Sequence, residues 1–117
     1  MPAVPELHLR QIARYCEQRV PEHARDQVQV SSRIRGRSVT IVERRPPWRA
    51  DFGPEWTSRP VAQLRWTPSP DAGVEGSWRL YWADRNSRWH LVPEVPPARA
   101  PGPLLAFIDR HPAAFWG

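Results

Sequence analysis

The chain holds one cysteine, four histidines, twelve acidic residues and seventeen cationic ones, all seventeen of them arginine. Metal binding and nucleophilic catalysis are the first chemistries to weigh. His8, His23, His90, His111 and Cys16 are scattered, without a Cys-x-x-Cys or His-x-x-x-His spacing that would bring two ligands to one ion. There is no Gly-x-Ser-x-Gly elbow and no glycine-rich phosphate loop; Gly36 and Gly53 read as turn residues. Cys16 falls on the apolar stripe of a helical pattern, where a thiol is an inert packing group. The sequence therefore assigns no catalytic residue, no metal and no cofactor. Three side chains remain for acid–base work: Glu43 at a strand end, and Asp84 and His90 on either side of a hairpin tip. A carboxylate set beside aromatics can serve as a general acid or base. The plainer expectation for Glu43 is pairing with an arginine to close the sheet edge.

The arginines offer a second chemistry. The formal charge is +5 and the isoelectric point about 10.9, a balance that favours polyanionic partners at low salt. A guanidinium grips phosphate or carboxylate with two parallel hydrogen bonds and stacks on aromatic rings. A coding bias that replaces lysine with arginine everywhere would give the same count without any function.

The elements that must position these groups follow from periodicity. Leu9, Ile12, Ala13, Cys16 and Val20 fall on one stripe of a 3.6-residue repeat, which predicts a helix over 6–20. From there the period becomes two. Val28, Val30, Ser32 and Ile34 alternate with polar neighbours, and a tight turn at Arg35-Gly36 returns the chain through Val39 and Ile41. That pairing puts Val28, Val30, Ile34, Val39, Ile41 and Glu43 on one face. A third strand over 61–67 places Ala62, Leu64 and Trp66 on one side, with Val61, Gln63 and Arg65 on the other. Strands over 77–84 and 88–92 form a second hairpin. With a two-residue turn, Trp78, Leu80, Trp82, Trp89 and Leu91 share one face and Arg79, Tyr81, Arg88 and His90 the other; a three-residue turn scrambles this partition. Gly102–Arg110 reads as a short helix, and Phe115-Trp116-Gly117 as an apolar hook that folds back.

The expectation is one α+β domain over 1–117. A roughly five-stranded antiparallel sheet over 26–92, made of two hairpins and a central strand, carries the N-terminal helix and the short C-terminal helix on one face. Fifteen prolines shorten the regular elements, and 45–60 and 93–103 are expected to be proline-rich loops. The N-terminus has no basic and apolar run of a secretory signal, no segment approaches the ~20 apolar residues that span a bilayer, and a lone cysteine fits a reducing compartment. A cytoplasmic location without membrane contact is expected.

Several blocks carry a resemblance. Glu43-Arg44-Arg45-Pro46-Pro47-Trp48, the strand Pro60–Trp66, the hairpin Trp78–His90 and the terminal Phe115-Trp116-Gly117 resemble a bacterial family of uncharacterised small proteins, the domain of unknown function 3024. The likeness runs from about Glu6 to the C-terminus. The family's Arg-Pro-x-Trp, Trp-x-x-x-Trp, Trp-His and closing aromatic-Gly correspond to Arg45, Pro46, Trp48, Trp78, Trp82, Trp89, His90 and Gly117. Two positions depart from it: Val92 stands where a tyrosine is frequent, and Asn86-Ser87 where the turn is often Asn-Gly. The resemblance implies the domain and no activity.

Three functional readings follow. The first is a non-enzymatic binding module that engages nucleic acid or an acidic protein through Arg33, Arg44, Arg45, Trp48, Arg65, Arg79, Tyr81, Arg88 and His90. On this reading most tryptophans are core. The second is a small hydrolase-like enzyme or accessory factor using Glu43, Asp84 and His90, which requires those side chains to converge; strand alternation puts Glu43 and His90 on opposite faces. The third is a protein–protein adaptor or homodimer using Trp48, Trp56 and the sheet edge.

Overall fold

The computed structural model describes residues 4–47, 56–71 and 73–116. Helix α1 (Glu6–Arg19) opens on Pro5, whose carbonyl accepts from Leu9, and ends where Pro21 cannot continue it. A 3-10 turn at Glu22–Ala24 leads into β1 (Gln29–Arg35) and β2 (Ser38–Arg45), followed by β3 (Thr57–Pro68), β4 (Gly76–Ala83) and β5 (Trp89–Leu91). The C-terminal part adds α2 (Gly102–Arg110) and the single turn α3 (Pro112–Phe115). All five strands are antiparallel in the order β1-β2-β3-β4-β5, so each neighbour in sequence is a neighbour in space. The expected α+β architecture is the one observed.

One face of the sheet carries the helices. Val39 and Ile41 from β2, Ala62, Leu64 and Trp66 from β3, and Trp78 and Leu80 from β4 pack against Ile12 and Cys16 of α1, Leu104, Leu105 and Ile108 of α2, and Phe115 of α3. Burial pushes the Cys16 thiol up to about 12, which keeps it protonated and unreactive. The indole N–H of fully buried Trp78 donates to His8 Nδ1 at 3.0 Å, joining β4 to α1. Tyr15 Oη donates to Asp109 at 2.7 Å and ties α1 to α2.

Three details differ from the sequence expectation. The first turn is Gly36-Arg37, between paired Arg35 and Ser38, with Gly36 at φ 59°. β3 begins at Thr57, so the residues from Thr57 to Pro60 are strand and not loop. Val61 is buried with the core, because the β2–β3 register slips by one residue between Ile41 and Val42. Pro60 explains the slip: β3 is interior to the sheet, and a proline there lacks an N–H for the ladder and is accommodated at a bulge.

Gly76 lies directly under the Trp66 indole. A methyl group there would stand 2.6 Å from the ring and closer still to the Thr67 carbonyl. Gly76→Ala is expected to cost about 1–3 kcal/mol, read as a lower denaturant midpoint with an unchanged slope; an unchanged midpoint would show that Trp66 does not rest on this backbone.

Candidate functional site

Among the described residues, no helix packs on the other face of the sheet. Its rows follow from the register. At one end Arg35, Ser38, Arg65 and Arg79 lie side by side across four strands. The next row is Arg33, Thr40, Gln63, Tyr81 and Leu91. Beyond it lie Ser31, Val42 and Pro60, with Ala83 paired to Trp89, and then Gln29, Arg44 and Ser58. The face thus holds five arginines and, among the described residues, no acidic side chain at any strand position.

Short-range contacts order part of this surface. The Arg65 guanidinium lies over the Tyr81 ring at 3.9 Å, and its Nε donates to Gln63 Oε1 at 2.6 Å. Gln63 Nε2 in turn donates to Thr40 Oγ1 at 2.9 Å. Arg65 is therefore held flat by its ring and its Nε, with the terminal nitrogens left for a planar anion. Arg44 sits over Trp56 at 5.9 Å from the ring centre. None of Arg33, Arg35, Arg44, Arg65 and Arg79 enters an ion pair among the described residues. Arg65 and Arg79 face each other directly across β3 and β4, a like-charge pairing that destabilises a sheet.

The second hairpin corrects the expected partition. Asp84 N–H donates to Arg88 O and Ser87 N–H to Asp84 O, and Ser87 has φ 62°. This is a three-residue loop closed by a left-handed residue, so Trp82 pairs with His90 and Ala83 with Trp89. Trp89 and Leu91 consequently lie on the arginine face. His90 lies on the helix-bearing face, and Arg88 flanks the loop opposite Asp84. The Asp84 carboxylate organises the loop: Oδ1 accepts from the backbone of Asn86 and Arg88, and Oδ2 lies 2.8 Å from His90 Nε2. The His90 ring also stacks on Trp82, with centres 4.7 Å apart.

Glu43 occupies the helix-bearing face and is buried, with Oε1 accepting from Arg45 Nε at 3.1 Å and Arg59 at 3.4 Å. Arg59 donates further to the carbonyls of Phe115 and Trp116. Arg45 therefore belongs to this cluster and not to the open face. Glu43 and His90 share a face, against the expectation, yet β3 and β4 separate their strands by roughly 14 Å of sheet. Asp84 and His90 come together; Glu43 does not join them. An apolar groove of about 540 Å³ beside them is lined by Trp82, Val92, Phe107, His111 and Phe115. Trp48 lies outside the described residues. Among those described, no group of three or more His, Cys, Asp or Glu side chains is placed to hold a metal.

Sequence reasoning missed Arg35, Trp89 and Arg59. Arg35 was legible from its alternation with Arg33. Trp89 depended on one residue of loop length. Arg59 depended on the bulge, for which Pro60 was the signal.

The hydrogen bond to His90, followed by those from the Arg88 and Asn86 backbone, holds the Asp84 carboxyl below its ordinary value. A group lowered by folding stabilises the fold above its unfolded value of about 3.9 and loses that contribution as pH falls through the lower folded value. Asp84→Asn is thus expected to flatten the loss of stability below about pH 4, measured by thermal melts across a pH series. Parallel acid limbs for the two proteins would contradict this.

No curated protein and no solved structure matches the chain, and no helix among the described residues is long and apolar enough to cross a membrane. The model of the family described as "Domain of unknown function (DUF3024)" matches residues 1–117. The resemblance noted in the sequence is thus a family relationship, and the chain belongs to the DUF3024 family.

Proposed function

We propose that this protein is a non-enzymatic binding module that engages an anionic partner, nucleic acid or an acidic protein, through the open face of its sheet. The observation that carries the reading is segregation. The chain has an excess of five cationic residues, and five arginines lie on this one face with no acidic side chain at any described strand position on it. The one acidic residue of the described strands, Glu43, lies on the other face with Arg45 and Arg59. A coding bias changes lysine to arginine wherever it occurs, but it does not sort charge between two faces of a sheet. The Arg65–Arg79 pair and its neighbour Arg35 repel one another in the free protein, and a bound anion relieves that repulsion.

A hydrolytic reading retains the Asp84–His90 contact and loses Glu43, which Arg45 and Arg59 already engage. Asp84 is equally employed in closing its own loop, so the pair supports this second reading less than the arginines support the first. The adaptor reading keeps Trp56, half-buried beside Arg44.

The test is a salt titration with a polyanion and charge-matched variants. Affinity is expected to fall as salt rises, and Arg33→Ser with Arg79→Ser to make the log–log slope shallower by about 0.7–0.9 per arginine removed. Arg14→Ser with Arg110→Ser removes the same charge from the helices and is expected to leave the slope nearly unchanged. Equal effects from both pairs would reduce the face to general net charge, and no binding at ~50 mM salt would end the nucleic-acid form of the proposal.

A further inference from the structure

The open face is not flat. A concavity of about 630 Å³ is sunk into it, with Arg33 and Arg35 on the β1 side, Thr40 and Gln63 among its lining residues, and Ser87 and Trp89 contributed by the β4–β5 hairpin. From β1 to β5 is four strand spacings, roughly 19 Å, which is room for a stretch of extended chain and not for one small ion. Trp89 faces this hollow because the three-residue loop sets its register, and its partner across the ladder is the small Ala83. The indole is half-buried and, among the described residues, stacks on no other ring.

We infer that the anion recognised by this face is a single-stranded nucleic acid, with a base stacked on Trp89 and its phosphates on the β1 arginines. The inference rests on the arginine-face reading and narrows it. A strand offers what the hollow presents: a planar ring for the indole and, a few nucleotides along the same chain, a charge for a β1 guanidinium. An acidic peptide satisfies the arginines but brings no ring to Trp89. A duplex keeps its bases stacked inside, and among the described residues neither helix nor ribbon projects from this face to enter a groove. The chain of contacts Thr40–Gln63–Arg65–Tyr81 continues the same surface, with the Arg65 fork presented beside the hollow.

The experiment compares oligo-dT and oligo-U with a DNA duplex and with polyglutamate, by anisotropy and tryptophan emission at ~50 mM salt. Both single strands are expected to bind more tightly than either alternative. Trp89→Ala should weaken single-strand binding about 5- to 150-fold and leave duplex binding nearly unaltered, while Trp89→Phe should bind nearly as wild type. Binding is also expected to quench emission in the wild type and to lose that quench in Trp89→Phe, a readout independent of how well the alanine variant folds. Equal affinity for strand and duplex, or an unchanged quench in Trp89→Phe, overturns the single-strand inference and leaves the arginine face standing. Failure of every polyanion to bind overturns both.

Discussion

Side chains of a strand point alternately to the two faces of its sheet, so a shift of one residue exchanges the faces of everything beyond it. This sheet contains one such shift, at Pro60-Val61, opposite Ile41-Val42. Without it, Arg59 would point to the open face and Glu43 would have no cationic partner across the β2–β3 ladder. With it, Val61 joins the core, Arg59 stands opposite Glu43 beneath the helices, and the same guanidinium reaches the carbonyls of Phe115 and Trp116. The bulge thus joins the sheet to the C-terminal hook and gives the single acidic residue of the strands its partner on the helix side.

The electrostatics of the two faces follow. On the helix-bearing face, buried Glu43 is matched by Arg45 and Arg59, the arrangement that a carboxylate removed from water requires. On the open face no described strand position is acidic, and Arg65 is ordered by neutral groups: the Tyr81 ring, the Gln63 amide and, through it, the Thr40 hydroxyl. Such contacts fix geometry without neutralising charge. A guanidinium that keeps its charge while losing side-chain freedom suits the anionic partner proposed for this face.

Much of this was legible in the residues. The 3.6-residue stripe ending at Val20 and the alternation from Val28 to Ile41 place α1 and the strands of the first hairpin, with the turn one residue off, and Arg33, Arg44, Gln63, Arg65, Arg79 and Tyr81 share the open face as expected. Arg88 and His90, also expected there, depend on the length of one loop. Ser87 adopts a positive φ that costs an L-residue about 1–2 kcal/mol, so local propensity argued against the three-residue loop; the Asp84 carboxylate, bonded to two backbone N–H groups, stabilises it. The consequence reaches the proposed function. Alternation with a two-residue turn made every tryptophan of that hairpin structural, whereas the observed register keeps Trp78 in the core and delivers Trp89 to the arginines.

The most direct test of the account is a map of backbone and arginine side-chain NMR shifts on titration with a short single-stranded oligonucleotide. The account predicts that perturbations concentrate at Arg33, Arg35, Arg65, Arg79 and the Trp89 indole, while Arg45 and Arg59, engaged with Glu43, stay still. Shifts centred instead on the groove of Trp82, Phe107 and His111, or spread evenly over arginines of both faces, would contradict it.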